Sequence, residues 1–234
     1  MTSVDVVVPV YNEEHVLAQS IATLRGFLEQ NLAQEWRIVI ADNASTDKTW
    51  GIAQALSQEH PAVVSIHLDE KGRGRALRKA WLESNADIVS YMDVDLSTDL
   101  GAFLELIRAI DDGYDIAVGS RLARGSEVKR SFKREFTSRS YNLLIRAMFR
   151  TKFSDAQCGF NDLSSKAAQE LVPLIQDQKW FFDTELLILA EKKGYRIKDV
   201  PVTWIEDPDS RVSIPRTVFD DLKGLLRMRF RPLP

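Results

Sequence analysis

The chain has 234 residues, of which 44% are hydrophobic and 28% are charged, a composition typical of globular proteins. Its formal net charge of -3 gives no indication of nucleic-acid binding. The single cysteine, Cys158, excludes an intrachain disulfide and fits a reducing compartment. No apolar run approaches the ~18 residues of a transmembrane helix, and the N-terminus lacks the basic region of a signal peptide. We therefore expect a protein that is soluble or peripheral to a membrane.

Five apolar, strand-like segments occupy the first half of the chain, and helix-like periodicity follows the first four. The predicted strands cover residues 4–10, 36–41, 63–68, 87–92 and 114–121. Strands that alternate with helices and read as continuous apolar runs indicate a parallel sheet with helices on both faces. The sequence therefore predicts an α/β fold with a Rossmann-like, mostly parallel sheet.

Polar residues follow each of these strands. They lie at 11–13, 42–47, 71–75, 93–99 and 119–121. In parallel α/β sheets ligands bind outside the carboxyl ends of the strands, so these five clusters are predicted to meet at one edge.

Asp93 and Asp95 come directly after the fourth strand. Residues i and i+2 of a strand point the same way, so both carboxylates converge while Val94 turns away. Hard cations such as Mg²⁺ or Mn²⁺ are held by one or two carboxylates together with substrate phosphates. The pair predicts a divalent-metal site, and the alternative is an acidic turn that caps a helix starting near Thr98.

The segment 71–75 carries Lys71, Arg73 and Arg75 around two glycines at a helix start. A dinucleotide-binding fingerprint is not supported, because Leu77 stands where its third glycine belongs. We expect these basic residues to hold a phosphate or a nearby carboxylate, with a solvated basic turn as the alternative.

Asp42 follows an apolar strand, and we expect it to accept hydrogen bonds from a base or a ribose. Asp47 is better explained as a helix cap. The three histidines lack metal-ligand spacing, so no zinc site is predicted.

Residues 121–152 contain ten Lys and Arg against Glu127 and Glu135, which predicts an anionic partner for this segment. Aromatic and aliphatic residues are interleaved with the basic ones and indicate one or two amphipathic helices. We expect residues 128–153 to lie in the plane of an anionic bilayer. In the alternative, Phe and Leu complete the core and the arginines are solvated.

In the C-terminal third we predict a polar loop or short strand at 155–162, followed by a helix that is capped by Ser164 or Ser165 and ends at Leu174. Beyond it we predict a helix at 180–193, an extended segment at 195–205 and a helix at 218–230. Asp183 and Glu185 begin an otherwise apolar helix. An acid among aromatic residues is costly unless it is paired, so we expect either a basic partner or a solvated cap.

Five motifs in order resemble the inverting glycosyltransferases of the GT-A, family 2 type. These motifs lie at 8–13, 42–47, 71–74, 93–95 and 119–121. Residues 157–160 and 180–185 further resemble the branch that makes polyprenyl-phosphate sugars, such as the dolichyl-phosphate glucosyl- and mannosyltransferases. The resemblance covers nearly the whole chain.

The resemblance implies roles for individual residues. The nucleotide base and ribose would be surrounded by Pro9, Tyr11, Glu13 and Asp42. Asp93 and Asp95 would hold a Mg²⁺ or Mn²⁺ that bridges the diphosphate. The lipid phosphate or donor diphosphate would contact Arg121, Arg134, Ser138 and Arg211. Together with Asp95 these four form the predicted catalytic set, and Lys71, Arg75, Asp183 and Glu185 complete the predicted donor site.

The resemblance implies a single GT-A domain, with a nucleotide-sugar-binding half at 1–121 and an acceptor half at 122–234. Its expected activity is hexose transfer from UDP-glucose or GDP-mannose to a polyprenyl phosphate at the cytoplasmic face of a membrane. One alternative is a saccharide or other soluble acceptor, with Asp183 or Glu185 as base; another is an inactive nucleotide-sugar-binding module. Attachment to the membrane would rest on the amphipathic segment, on a membrane-protein partner or homo-oligomer, or on a missing C-terminal portion. Arg211 is expected on a mobile loop that closes over a phosphate.

Overall fold

The structure, a computed structural model, describes residues 2–205 and 214–230. The strands are β1 (Ser3–Val10), β2 (Glu35–Asn43), β3 (Val63–Leu68), β4 (Ile88–Met92), β5 (Ile116–Ser120), β6 (Glu127–Lys129), β7 (Phe160–Ser164), β8 (Ile197–Pro201) and β9 (Thr203–Ile205). The helices are α1 (Leu17–Asn31), α2 (Thr49–Glu59), α3 (Arg73–Leu82), α4 (Gly101–Asp111), α5 (Phe132–Phe149), α6 (Ser165–Leu171), α7 (Phe182–Lys192) and α8 (Ile214–Phe230), with a 3₁₀ turn at Val172–Leu174.

A seven-stranded sheet organises the molecule in the order β3-β2-β1-β4-β7-β5-β8. The five strands predicted from the sequence all run in one direction, as expected. β7 was not expected inside the sheet: it lies antiparallel between β4 and β5, with Asn161 opposite both Tyr91 and Val118. Strands β7 and β8 come from residues 122–234, so both halves of the chain contribute to one sheet.

Helices cover both faces of the sheet because alternate strand residues are apolar on both sides. Val6 and Val8 of β1 pack with α1 and α4, whereas Val7 packs with α3, α6 and α7 on the opposite face. This double burial explains why the strands read as unbroken apolar runs. A few polar side chains are nevertheless buried within the strands, among them Asp5, Ser90 and Asp162.

Several predicted element boundaries differ from the structure. The helix after β4, expected at 100–110, spans Gly101–Asp111, whereas Thr98, near which the capping alternative started it, forms an isolated bridge with Trp204. The helix expected from Trp180 begins at Phe182, and the last helix begins at Ile214 rather than at Val218. Ser164 is the cap of α6, since its side chain accepts a hydrogen bond from the Ala167 N–H.

The basic segment forms one helix, α5, which has both an exposed and a buried side. Phe132, Phe136 and Leu143 are exposed. The expectation that Phe149 faces lipid is wrong, because Phe149 is buried in the core, as are Ile145 and Phe153. Leu144 and Met148 are also packed against the core. The core alternative therefore holds for the C-terminal half of α5, where the helix closes over the sheet.

β9 passes beside the loop that follows β4. The Asp99 N–H donates to the Thr203 carbonyl over 3.0 Å, and the Ile205 N–H donates to the Ser97 carbonyl over 3.1 Å. This contact brings β9 to the loop that follows the carboxyl end of β4. Among the described residues, no helix combines the length and the apolar character that crossing a bilayer requires. Arg211 lies outside the described residues.

Candidate active site

Asp93 and Asp95 lie where β4 leaves the sheet. Val94 between them is buried, whereas the Asp93 side chain is half-exposed and Asp95 is exposed. The strand ends at Met92, so the two aspartates lie in a turn, and the alternation of a strand does not determine their direction. Asp95 Oδ1 accepts a hydrogen bond from the Ser97 N–H over 3.0 Å, which orders the turn. A cavity at this point is lined by Met92, Asp93, Asp95, Leu96, Ser97, Thr98, Leu100, Gly159, Phe160 and Trp204. We call it the acidic rim.

Gly159 makes room for the Asp93 carboxylate. A Cβ at position 159 would lie 2.0 Å from Asp93 Oδ2, far inside van der Waals contact, and the Gly159 carbonyl accepts from the Asp93 N–H over 3.2 Å. A side chain at position 159 would therefore displace Asp93. The absence of a side chain at this position is a structural requirement of the acidic rim.

The donor set of the acidic rim fits a hard divalent cation. Asp93 and Asp95 supply carboxylate oxygens, which Mg²⁺ and Mn²⁺ prefer. Within residues 2–205 and 214–230 no cluster of three or more His, Cys, Asp or Glu side chains is arranged to hold a metal. Two protein ligands therefore leave most coordination positions to water and to a phosphorylated substrate, as is usual for Mg²⁺.

Arg73 connects the acidic rim to the interior. Its Nη1 donates to Asp183 Oδ2 over 2.9 Å, and its Nη2 donates to the Tyr91 hydroxyl over 2.5 Å. A longer contact of 3.4 Å joins Nη2 to Asp93 Oδ1. The guanidinium also packs against the Trp180 ring, 4.8 Å from its centroid. The basic cluster at 71–75 thus holds a carboxylate, one of the two roles expected for it.

Burial shapes the protonation of these acids. Desolvation raises the pKa of Asp93 to about 6, with Asp95 adding to the shift and Arg73 opposing it. Desolvation likewise raises the pKa of Asp183, against the opposing charge of Arg73. The charge of Arg73 therefore favours the ionised form of both acids, against the effect of burial.

Asp42 is fully buried at the end of β2. Its Oδ2 lies 2.6 Å from His67 Nδ1, a hydrogen-bond distance, and the His67 ring packs against Trp50 with 5.0 Å between centroids. Asp42 Oδ1 is buried with no hydrogen-bond partner among the described residues. A buried acceptor without a partner is costly, so this oxygen is suited to a donor group of a ligand.

The loops after β1 and β2 are joined at the same edge. Asn12 adopts a left-handed conformation with φ 56°, and its Oδ1 accepts from the Thr46 N–H over 2.8 Å. The Asn12 N–H donates to Ser45 Oγ, and the Glu13 N–H donates to Thr49 Oγ1 over 2.7 Å. These contacts place the predicted base- and ribose-binding residues Pro9, Tyr11, Glu13 and Asp42 on neighbouring strand ends.

Lys71 and Arg75 lie on the exposed side of this region. Lys71 Nζ is 3.2 Å from the centroid of the Tyr11 ring. Arg75 pairs with the exposed Glu70 over 2.8 Å. Lys71 is therefore placed beside Tyr11 of the predicted base-binding group, whereas Arg75 faces solvent.

Glu185 is bonded to α8 and to the loop before α7, and it does not line the acidic rim. Its Oε2 accepts from Arg227 Nη2 of α8 over 2.6 Å and from the Asp177 N–H over 2.9 Å. The expected basic partner exists, but it belongs to α8. Of the two acids that begin α7, only Asp183 is brought to Arg73 and the acidic rim.

Arg121 begins a second, basic region beside the acidic rim. Its Nε and Nη2 donate to the two oxygens of Asp155 over 2.8 and 3.0 Å. Its guanidinium carbon lies 5.5 Å from the centroid of the Trp204 ring. Trp204 also lines the acidic rim, so Arg121 and the acidic rim are neighbours.

An open pocket of about 390 Å³ continues from Arg121. It is lined by Arg121, Ser126, Val128, Arg130, Phe132, Glu135 and Arg139, and we call it the arginine pocket. Arg134 and Ser138 are not among the residues that line it. They lie on the stripe of α5 that continues to the buried Asn142 and Ile145.

Sequence reasoning did not single out Arg130, His67 or Trp204. Arg130 was one of several arginines in the basic segment, and nothing in its spacing distinguished it from Arg134. His67 lies in β3 opposite Asp42, a pairing that depends on the register of β2 with β3. Trp204 reaches the acidic rim only because β9 runs beside the loop after β4.

The seven-stranded sheet with helices on both faces has the GT-A fold. A glucosyl-3-phosphoglycerate synthase from Mycobacterium tuberculosis, solved with Mn²⁺, uridine diphosphate and phosphoglyceric acid, has a TM-score of 0.70 at 16% identity. The match covers 97% of this chain and 78% of that one. At this identity the likeness concerns the fold.

The chain belongs to glycosyl transferase family 2, whose sequence model matches residues 5–172. Glycosyltransferase AglD of Haloferax volcanii is 35% identical over 230 residues, which cover 96% of this chain and 36% of AglD. The dolichyl-phosphate beta-glucosyltransferase ALG5C of Trichomonas vaginalis is 30% identical over 220 residues, covering 89% of this chain and 65% of that protein. The chain thus spans about a third of one relative and just under two thirds of the other.

Proposed function

We propose that the protein transfers a hexose from a nucleotide-sugar such as UDP-glucose or GDP-mannose to a polyprenyl phosphate. The observation that carries this proposal is the adjacency of the acidic rim and the arginine pocket: Trp204 lines the acidic rim, and its ring lies 5.5 Å from the guanidinium carbon of Arg121, which lines the arginine pocket. One region suits a cation with a diphosphate, and the other suits a second anion. The name of the relative ALG5C, a dolichyl-phosphate beta-glucosyltransferase, supports the same pairing of donor and acceptor.

The donor is bound across the carboxyl ends of β1, β2 and β4. Asp42 accepts a hydrogen bond from the nucleoside through its unpartnered Oδ1, and Tyr11 with Lys71 borders the base. Asp93 and Asp95 would hold a Mg²⁺ or Mn²⁺, which would supply positive charge at the diphosphate of the donor. Support for the metal comes from the carboxylate pair and from the Mn²⁺ in the similar fold.

The acceptor phosphate is bound near Arg121 in the arginine pocket. The second pKa of a phosphomonoester is about 6, so at neutral pH the group is largely a dianion. It can attack as a nucleophile without a general base to remove a proton. Arg121 is held in place by Asp155. Burial acts to raise the pKa of Asp155, but the charge and the hydrogen bonds of Arg121 outweigh it, so the pKa is lowered. The pair remains ionised, and Arg121 reduces repulsion between two anionic substrates that must meet in line.

A saccharide acceptor would need a base to deprotonate its hydroxyl, and the acids considered for that role are engaged elsewhere. Asp183 is buried and bonded to Arg73 and Tyr91, and Glu185 is buried and bonded to Arg227. Neither side chain is exposed to a substrate hydroxyl. This arrangement favours an acceptor that is already ionised.

We also propose that the protein works at the cytoplasmic surface of a membrane. α5 exposes Phe132, Phe136 and Leu143 among basic residues, and α8 exposes Phe219, Leu222, Leu226 and Phe230. Helices that expose aromatic and aliphatic side chains beside Lys and Arg are typical of interfacial attachment to anionic lipids.

The proposed function is tested by incubating the protein with UDP- and GDP-sugars, Mg²⁺ or Mn²⁺ and a polyprenyl phosphate, with the products identified by mass. We expect a polyprenyl-phosphate hexose from one donor. Asp95→Asn should abolish its formation, whereas Asp69→Asn, at an exposed site outside the acidic rim, should not. Metal-dependent donor binding without any hexosyl product would instead indicate a binding module.

A further inference from the structure

The arginine pocket contains one carboxylate, Glu135, bound by two guanidinium groups. Arg130 Nε donates to Glu135 Oε2 over 2.5 Å, and Arg139 Nε donates to Glu135 Oε1 over 2.5 Å. Both oxygens of the carboxylate are engaged in this bridge. Glu135 thus occupies the position between two cations that an anionic ligand of the pocket would take.

Arg130 retains an unused donor in this arrangement. Its side chain is only 4% exposed, and its Nη2 is buried without a hydrogen-bond partner among the described residues. A buried donor of a charged group that lacks a partner costs free energy. The Glu135 carboxylate has no third oxygen to offer it, whereas a phosphomonoester has three terminal oxygens.

The surroundings of the arginine pocket favour an anion with an apolar tail. Glu135 lies in the first turn of α5, an 18-residue helix, where the helix dipole adds positive potential. Arg121 lines the side nearest the acidic rim, and Val128 with the highly exposed Phe132 provides an apolar edge. These groups suit a phosphate that is attached to a hydrocarbon chain.

We propose that Glu135 is a resident anion, which fills the acceptor-phosphate position of the empty protein and is displaced by the incoming phosphomonoester. In the exchange a carboxylate of charge -1 leaves Arg130 and Arg139, and a dianion takes its place. Arg130 Nη2 then gains the partner that it lacks. The resident carboxylate makes the pocket selective for dianions, because a weaker anion does not replace it. This inference rests on the proposed function.

A different role for Glu135 is helix stabilisation alone. Glu135 and Arg139 form an i,i+4 pair, and an acid in the first helical turn is favourable to the dipole. Such a role predicts that removal of the charge lowers stability and leaves anion binding unchanged. The two roles are therefore separated by a binding measurement.

The test is calorimetric titration of farnesyl phosphate in detergent into the wild-type protein and Glu135→Gln, without donor or metal. We expect Glu135→Gln to bind about tenfold more tightly, the scale of one charge-assisted hydrogen bond. Glu105→Gln is the matched control, because Glu105 pairs with Arg108 in an exposed i,i+3 contact on α4. Its affinity should equal that of the wild type.

Arg130→Met removes one of the two guanidinium groups that bind Glu135. We expect it to weaken farnesyl phosphate binding, while binding of UDP with Mn²⁺ stays unchanged and shows that the protein is folded. Equal or weaker binding by Glu135→Gln than by the wild type would overturn the resident-anion role and leave the proposed function intact. Absence of farnesyl phosphate binding in every variant would overturn both. A parallel titration with inorganic phosphate distinguishes recognition of the head group from recognition of the chain.

Discussion

The Arg73 guanidinium donates to the Asp183 carboxylate over 2.9 Å, although the two residues are 110 positions apart in the chain. Arg73 begins α3 and Asp183 lies in the first turn of α7, so the contact joins two helices beneath the acidic rim. Both side chains are buried, at 11% and 3% exposure. Arg73 also lies 3.4 Å from Asp93 Oδ1, and the Asp93 side chain remains half-exposed.

Removal of Arg73 should destabilise the fold. Arg73→Met leaves the buried Asp183 carboxylate without its cation, and breaking a buried ion pair from one side costs about 3–5 kcal/mol. We expect a loss of this size in the free energy of unfolding, measured by urea denaturation.

The double variant Arg73→Met with Asp183→Leu is the control for this interaction. It removes both charges, so it should recover part of the stability lost in Arg73→Met. A double variant that is less stable than Arg73→Met would show that the pair is not the origin of the loss.

Gly159→Ala should impair the acidic rim without unfolding the protein. The added methyl group would collide with Asp93 Oδ2 at 2.0 Å and force the carboxylate to move. Changes that misorient a metal ligand reduce metal affinity by about 10- to 100-fold. We expect the affinity for Mn²⁺ in the presence of UDP, measured by calorimetry, to fall by this factor.

Gly51→Ala provides the matched substitution. A Cβ at position 51 of α2 meets nothing within 4 Å, so the change should stabilise the helix by about 0.5–1 kcal/mol and leave binding unchanged. Wild-type metal dependence in Gly159→Ala would refute the role of Gly159 as space for Asp93.

Asp162 should make stability fall as pH rises. Burial raises the pKa of Asp162 well above its usual range, and neither carboxylate oxygen has a hydrogen-bond partner among the described residues. The native state therefore keeps a proton that the unfolded state releases above pH ~4. Between the pKa of Asp162 in the unfolded state and its raised pKa in the native state, the free energy of unfolding should fall by up to about 1.4 kcal/mol per pH unit.

The pH effect is measured as the difference between the wild type and Asp162→Asn in urea denaturation at several pH values. The side-chain amide of this variant cannot ionise, so the stability of the variant relative to the wild type should increase with pH. Asp112→Asn, at an exposed position, should follow the wild type throughout. Parallel stability curves for Asp162→Asn and the wild type would mean that Asp162 does not titrate differently in the two states.

Membrane attachment should depend on charge in the basic segment. Lys129 and Lys133 are exposed at either side of the start of α5. Each basic residue near an anionic bilayer contributes about 1 kcal/mol, so Lys129→Glu with Lys133→Glu should weaken binding to anionic vesicles at least ~30-fold. Co-sedimentation should also decrease as salt concentration rises.

Lys192→Glu with Lys193→Glu gives the same charge change at exposed positions at the end of α7. This control should sediment with vesicles more than the variant at 129 and 133 does. If both double variants and the wild type sediment equally, the basic segment is not a lipid-binding surface.

The sequence was sufficient to predict the parallel strands and the acidic rim, because both follow from local patterns. The apolar runs that become β1 to β5 end at the polar clusters, and this places Asp93 and Asp95 at the carboxyl end of β4. The turn that contains them was not predicted. The placement of β7 could not be predicted in this way. Phe160–Ser164 is too short to indicate its neighbours, and its position depends on pairing with β4 and β5.

Residues whose role depends on distant contacts were the ones that sequence patterns did not reveal. Arg130 is singled out by its ion pair with Glu135 and by a side chain that is only 4% exposed. Glu185 and Asp183 are two positions apart, yet one pairs with α8 and the other with α3. Side-chain partners across the fold, rather than composition, separate these residues.

The proposed function is tested most directly by offering the protein three acceptors with the same donor and metal: a polyprenyl phosphate, the corresponding polyprenol, and a soluble saccharide. Because the arginine pocket is suited to an anion and no exposed base is available for a hydroxyl among the acids considered for that role, we predict that one hexose is added to the polyprenyl phosphate alone, as measured by mass. Hexose transfer to the polyprenol or to the saccharide, with none to the phosphate, would contradict the account.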